Sequence, residues 1–425
     1  MIKILDYQTV DKRQIFARVE KVNSVTNTVT EILDSVKSQG DKALKYFAEK
    51  FDGVILDELK VTEEEIDKAF TLSDPEFVEV LKTARDNIKE FHEKQMREGF
   101  QIQRKDGVVL GQKVLPMERI GLYVPGGTAS YPSTVLMNAI PAKIAGVKEL
   151  VMVTPAKKDG QVSPEILVSA KIAGVDTIYK IGGAQAVGAL AYGTESIKKV
   201  DKIVGPGNAY VAEAKRQVFG KVAIDMIAGP SEILIVADAN CSAVNLSADL
   251  LSQAEHDKMA SAVLITTDID LAKKVQAELE VQIEKLPRRE IARASIDDNG
   301  KIIVVKDIKT AIELSNEIAP EHLELCVDNP FELLEEVKNA GSVFLGKNCP
   351  EALGDYIAGT NHTLPTNGTA RFASPLSVDD FIKKTQYIYY TESALDNVKE
   401  KVELFANKEG LFAHANSVTV RKENK

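Results

Sequence analysis

Two copies of one short phrase constrain what this chain folds into. Ile144-Ala-Gly-Val147 precedes the apolar run Leu150–Val153, and 28 residues later Ile172-Ala-Gly-Val175 precedes Thr177–Ile181. Each copy reads as a helix ended by a glycine just past its last turn (Gly146 or Gly174), followed by a strand. That spacing suits one αβ unit, and two copies are too few for a solenoid. Short apolar runs at Ile120–Val124, Lys202–Val204 and Ile233–Val236 also alternate with helical patterns. After Asp238 the alternation continues through strands Ala262–Thr266, Lys301–Val305, Leu323–Val327 and Ser342–Leu345, with helices Asp270–Glu284 and Thr310–Ile318 among them. Such alternation predicts βαβ units and largely parallel sheets.

The first hundred residues have a different texture. Val29, Ile32, Leu33, Val36, Leu44 and Phe47 recur at helical spacing, broken near Gly40. Thr62 with Glu65 forms a capping box, and Asp74-Pro75 pairs a cap with a proline at the first helical position. The helix that follows carries His92, read as a packing or surface residue. Residues 1–20 are weakly patterned and look like an arm. Val108–Leu110 and Val114-Leu115 read as two short strands around a turn near Gly111-Gln112. Leu353–Thr369 reads as a long loop. Beyond Ser377 the chain reads as helical, with Leu395, Val398, Val402 and Phe405 as one stripe. That last segment is too small to hold a core by itself, so it should pack on another surface.

At 425 residues the chain is too long for one compact core. The expected fold is α/β: two domains with mostly parallel, incomplete Rossmann-like sheets flanked by helices, plus an N-terminal helical arm and a small C-terminal helical segment. The expected boundaries are an arm at 1–20, a discontinuous main domain at 21–122 and 231–376, a second domain at 123–230, and the C-terminal segment at 377–425. Net charge is −10 and no basic run tracks phosphates, so nucleic-acid binding is not expected. No stretch has the roughly 18 uninterrupted apolar residues of a membrane helix. The first residues lack a secretory apolar core, and the expectation is a cytoplasmic protein. Cys241, Cys326 and Cys349 are odd in number and widely spaced, which argues for reduced, structural thiols.

Several residues are candidates for chemistry. Gln253 and His256 are three residues apart and would share a face if the preceding helix continues. Two Lewis bases so placed can reach one metal ion, although glutamine is a poor zinc ligand and such pairs are common on solvated faces. Glu321-His322 follows Pro320. A carboxylate beside an imidazole offers a water-activating base and a group titrating near neutral pH; the alternative is a helix start with an acid placed for the dipole. Asp355, His362 and His414 read equally well as turn, loop or cap residues. Two glycine-rich turns, Gly121-Leu-Tyr-Val-Pro-Gly-Gly127 and Gly205-Pro-Gly-Asn208, follow strands. Neither is a dinucleotide fingerprint or a P-loop, so any NAD would be held in a non-standard way.

Taken together, the blocks Glu118–Gly127, Gly205–Asn208, Ala228–Glu232, Ser252–His256, Ala319–His322, Gly354–His362 and Glu409–His414 resemble the histidinol dehydrogenase family. The resemblance runs from about residue 20 to 416, in the family's order. It implies a zinc- and NAD-dependent homodimer that oxidises L-histidinol to L-histidine through a bound aldehyde. It implies zinc on Gln253, His256, Asp355 and His414, the last from the partner subunit, and substrate contacts at Ser231, Glu409, His322 and the zinc ligands. Cofactor contacts are implied at Tyr123, Gln185 and Asn208, and acid–base roles at Glu321 and His322. The main domain would then carry the metal and catalytic residues, the second domain the NAD side, and the C-terminal segment part of the dimer. The nearest alternative is a paralogous zinc/NAD alcohol dehydrogenase on another polar alcohol. A zinc hydrolase with Glu321 as base and a non-enzymatic ligand-binding protein are more distant alternatives.

Overall fold

The structure is a computed structural model that describes residues 1–18, 25–126 and 130–423. Gly127, the last glycine of the first turn, and part of the arm lie outside these residues. Contacts divide the chain into two units: Met1–Gln95 with Met117–Phe381, and Met96–Pro116 with Ile382–Lys425.

The first unit holds two parallel sheets. One contains β1 (Lys3–Asp6), β9 (Glu232–Ala237), β10 (Ser261–Thr266), β11 (Lys301–Val304), β12 (His322–Cys326) and β13 (Ser342–Leu345), in the order β1-β11-β10-β9-β12-β13. The other contains β4 (Arg119–Tyr123), β5 (Glu149–Val153), β6 (Thr177–Tyr179), β7 (Lys202–Val204) and β8 (Ala223–Ile224), in the order β6-β5-β4-β7-β8. Every residue of β9 and of β12 is buried. Parallel strands covered on both faces by helices read as such unbroken apolar runs. Gly146 and Gly174 have φ of +90° and +79°, so both ends of the repeated phrase carry the left-handed residue that the sequence calls for. β1 was not foreseen: Lys3–Asp6 pairs in parallel with Lys301–Val304 as an edge strand, its faces only partly covered. Half-covered edges leave a weak sequence pattern.

In each sheet the strand order reverses once. The chain runs β4, β5, β6 to one side and then β7, β8 to the other; likewise β9, β10, β11 and then β12, β13. Tyr123 ends β4 and the Gly205-Pro-Gly-Asn208 turn follows β7, so both stand at the carboxyl end of a switch point, where α/β sheets bind ligands. Ser231, Glu321 and His322 stand instead at the entries of β9 and β12.

A buried ion pair fixes the Gly205 turn. Lys215 and Asp225 are both nearly inaccessible and in contact. Lys215 Nζ donates to the Gly205 carbonyl at 2.9 Å, and the Gly205 N–H donates to Asp225 Oδ2 at 2.7 Å. Gly205 has φ +116°, and a Cβ there would meet the Tyr123 carbonyl oxygen at 2.1 Å.

The second unit contains a three-stranded antiparallel sheet, β14 (Ile382–Tyr389) with β3 (Val109–Pro116) and β2 (Phe100–Gln103), and the helices Glu392–Asp396, Lys399–Lys408 and Phe412–Glu423. Two expectations are corrected here. Val109–Pro116 is one strand, with no turn at Gly111-Gln112. Gly111 is glycine because Tyr387 lies across it, where a Cβ would meet the ring at 2.1 Å. Beyond Ser377 the chain makes only a short 3-10 helix, Val378–Phe381, before a strand that was not expected, Ile382–Tyr389, which pairs along the whole of β3.

Removing one partner of a buried ion pair strands the other charge in the core, which costs about 3–5 kcal/mol. Asp225→Ala should therefore lower the urea midpoint of unfolding by a corresponding amount. A midpoint within experimental error of the parent would overturn this account of the turn.

Candidate functional site

The helix Ala243–Ala254 delivers the first candidates. Ser242 caps it by accepting from the Asn245 N–H, and Leu246, Leu250, Leu251 and Ala254 seat it in the core. The helix stops at Ala254, so His256 belongs to the turn beyond it, its N–H donating to the Gln253 carbonyl at 3.2 Å. Gln253 is buried. His256 is exposed in surface terms but ringed by protein atoms, and this crowding, with Arg288 adding to it, lowers its pKa.

Glu321 and His322 enter at β12. The helix Ile308–Ile318 ends in a left-handed Ala319 (φ +53°), and Pro320 prevents its continuation. Glu321-His322 thus opens a buried strand, which sets aside the helix-start alternative. His322 Nδ1 lies 3.0 Å from the Glu232 carbonyl oxygen. A carbonyl only accepts, so Nδ1 carries the proton and Nε2 the lone pair. The Gln253 amide nitrogen lies 3.1 Å from the same Nδ1; with Nδ1 protonated the two face each other donor to donor and make no hydrogen bond. Nε2 is buried and has no partner among the described residues. The Glu321 carboxyl accepts from the Glu232 N–H at 2.8 Å and lies 3.7 Å from His322 Nδ1.

The helix Glu351–Tyr356 adds Asp355 and a residue that the sequence reading missed, Glu351. Ligand atoms of His322, Glu351 and Asp355 all lie within 4.8 Å of one another. The Glu351 N–H donates to Glu324 Oε1 at 2.8 Å, which fixes the start of this helix. Gly354 lets the helix approach Phe344, since a Cβ would meet that ring at 2.7 Å; the same ring lies 6.0 Å from the imidazole of His322. Glu351 was detectable: it precedes Asp355 by four residues, on the same helical face. His362 lies 3.9 Å from Asp355, and its Nε2 is 3.4 Å from Thr134 Oγ1. His92 is buried against Gln95 and is a packing residue, as expected.

Burial dominates the electrostatics of this cluster. It lowers His322 and His362 to about 4, helped by the charge of His256. It raises Glu321 and Glu351 well above the carboxylate range and Asp355 to about 6, with Asp355 itself pushing Glu321 and Glu351 further up. Neutral imidazoles beside carboxyls that resist ionisation are short of one thing, a cation. Gln253 Oε1, His322 Nε2 and Glu351 Oε2 are buried acceptors without partners among the described residues. Nitrogen and oxygen donors of this kind suit zinc or a similar divalent ion. The residues therefore fit a metal.

The other expected residues are dispersed. Ser231 is half-buried at the entry of β9, its carbonyl accepting from the Ser261 N–H. Glu409 and His414 are exposed and belong to the second unit. The Tyr123 hydroxyl accepts from the Gly183 N–H at 3.0 Å, and burial pushes it up to about 12. Gln185 is buried, with its Oε1 unpartnered among the described residues. Asn208 caps the helix Ala209–Val218, its Oδ1 accepting from the Tyr210 and Val211 N–H groups.

Parallel sheets, switch-point loops and a buried cluster of an imidazole base with metal-capable donors define an α/β enzyme. Residues 17–422 match the sequence profile of histidinol dehydrogenase. Histidinol dehydrogenase of Bacillus cereus is 58% identical over 400 residues, covering 94% of this chain and 93% of its own. That of Clostridium acetobutylicum is 53% identical, covering 99% of both. A crystal structure of histidinol dehydrogenase from Elizabethkingia anophelis superposes with a TM-score of 0.94 at 40% identity, covering 100% of this chain and 98% of that one. The chain belongs to the histidinol dehydrogenase family and is an oxidoreductase of that kind. No helix among the described residues is long and apolar enough to cross a membrane.

The raised pKa of Asp355 has a sign. Its folded-state value lies above its unfolded one, so the stability tied to it is full below about pH 4 and is lost as pH rises through about 6. His322 and His362 act oppositely: their contribution is present above about pH 6.5 and is lost as pH falls through about 4. In metal-free protein Asp355 should cost thermal stability as pH rises from about 4 to 6 while the two imidazoles restore it over nearly the same range, so His322→Asn should lose less on acidification than the parent, and zinc should change the profile of both. A zinc-independent pH profile would contradict the cation reading of these donors.

Proposed function

We propose that the protein oxidises L-histidinol to L-histidine through the bound aldehyde, using zinc and NAD, as a homodimer with shared sites. The observation that carries this is the buried, unpartnered Nε2 of a neutral His322, set beside Glu321 and within 4.8 Å of Asp355 and Glu351. Gln253, His256 and Asp355 would hold the metal, with His414 of a second copy as the fourth ligand. The exposure of His414 and Glu409 in the separate C-terminal unit supports their working on another subunit. Tyr123, Gln185 and Asn208 would line the cofactor site, supported by the switch point between β4 and β7.

When bound, zinc would supply a template for the amino and imidazole nitrogens of the substrate, and NAD the hydride acceptor. The remaining work falls to the chain. His322 Nε2 takes the hydroxyl proton in the first oxidation, its tautomer fixed by the Glu232 carbonyl. Glu321, whose buried carboxyl a bound cation would help to ionise, takes a proton from the water that adds to the aldehyde. Having released its first proton to solvent, His322 takes a proton from the resulting hydrate as the second hydride leaves. Ser231 and Glu409 orient the substrate, the carboxylate against its imidazole.

The decisive assay follows NADH formation with L-histidinol and scores two NADH per substrate, abolished by a chelator. One NADH per substrate would refute the four-electron reading. His322→Asn should slow both oxidations by about 10²–10⁴-fold, and Glu321→Gln should mainly slow oxidation of added aldehyde. Mixing His414→Ala with His322→Asn subunits should restore activity in heterodimers; failure to recover any would argue against ligation across subunits.

A further inference from the structure

Glu321 and His322 hang from a single residue. The Glu232 N–H donates to Glu321 Oε2 at 2.8 Å, and the Glu232 carbonyl accepts from His322 Nδ1 at 3.0 Å. The next pair in register, His322 with Ile233, continues the β12–β9 ladder. Any displacement of the Glu232 peptide therefore moves the carboxyl of Glu321 and releases the tautomer of His322 together.

The side chain of Glu232 shows what holds that peptide. Its carboxylate is buried and meets one guanidinium in two places: Arg18 Nε lies 2.9 Å from Oε1, and Arg18 Nη2 lies 3.3 Å from Oε2. Arg18 Nη2 also donates to the Ile318 carbonyl at 2.7 Å. Ile318 is the last residue of the helix that leads through Ala319-Pro320 to Glu321. One guanidinium thus ties the strand entry that carries the anchor to the helix exit that carries the dyad. Gly368 gives it room, since a Cβ there would meet Arg18 Nη1 at 2.3 Å. Burial pushes the Glu232 carboxyl up and the charge of Arg18 opposes this, so the pair persists as an ion pair only while both members are present.

We propose that Arg18 is a positioning residue for the reaction: through its forked pair with Glu232 and its bond to the Ile318 carbonyl, it sets the aim and tautomer of His322 and the place of the Glu321 carboxyl. The N-terminal arm is then part of the catalytic apparatus, although it touches no substrate. This inference rests on the acid–base roles proposed for Glu321 and His322. Fork geometry matters, because an ammonium group bonds as a point charge and cannot serve both carboxylate oxygens and the carbonyl in one plane.

The test uses the full-length, zinc-loaded enzyme with L-histidinol and NAD. Arg18→Ala should lower kcat by about 10–100-fold, the range for residues that orient a functional group from behind. KM for either substrate should change less than twofold, and millimolar guanidinium should restore much of the lost rate. Arg18→Lys should recover little. Glu232→Gln should lose rate similarly and resist guanidinium, because the carboxylate that guanidinium would meet is gone. Unchanged kcat in Arg18→Ala would overturn the proposal. So would a loss confined to KM, or a loss that guanidinium leaves untouched while the unfolding midpoint falls. If His322→Asn and Glu321→Gln themselves turn over normally, the acid–base reading fails instead, whatever Arg18 does.

Discussion

The register that sets His322 opposite Ile233 connects the reaction site to the core. Parallel pairing places the entry of β12 beside the entry of β9, and so brings Glu321 and His322 to the Glu232 peptide. A slip of one residue would turn His322 to the other face of the sheet and leave both groups without a partner. The register is guarded by burial on both faces, where Ile233, Leu234, Leu323 and Leu325 are almost wholly inaccessible. The precision of the site is therefore inherited from apolar packing, and the polar contacts add aim.

That packing also creates the electrical problem at the site. Two imidazoles, His322 and His362, and the carboxyls of Glu321, Glu351 and Asp355 are largely buried here, and burial drives each towards its neutral form. A second rank of acids lies behind the first. Asp249 is one helical turn before Gln253 and Glu324 two residues after His322, and each is pushed above the carboxylate range by burial. Neutral donors packed so closely form a site that gains most from a divalent charge.

Much of this was legible in the sequence. The Thr62–Glu65 capping box, the Asp74-Pro75 start and the glycine ends at Gly146 and Gly174 all formed, because each depends on local chemistry. β7, buried along its whole length, left an unbroken apolar run and has its expected limits; β13 does too, although it is an edge strand with only Phe344 buried. The misses share a cause. β1 and β14 are largely exposed, and a strand that buries little leaves little pattern. Gly111 suggested a turn because the need for glycine came from Tyr387, remote in sequence. The candidate site was legible only as a set of blocks: Gln253, Asp355 and His322 are each ambiguous until the fold gathers them. Arg18 went unread because its role lies in contacts far along the chain, and Glu351 because the helix that sets it beside Asp355 was read as a loop.

The Arg18 clamp also bears on how the protein is made. Its partners lie at residues 232 and 318, and the acid and imidazole donors of the cluster continue to His362. A chain emerging from the ribosome presents the arm first, yet has nothing for it to grip until β9 and then β12 have followed. Domains generally fold in the order of synthesis, and contacts this distant are slow to close. Half-made chains therefore carry single donors but no assembled cluster. Competence appears late and nearly at once, only when β9, β12 and the helix that carries Asp355 have all been made.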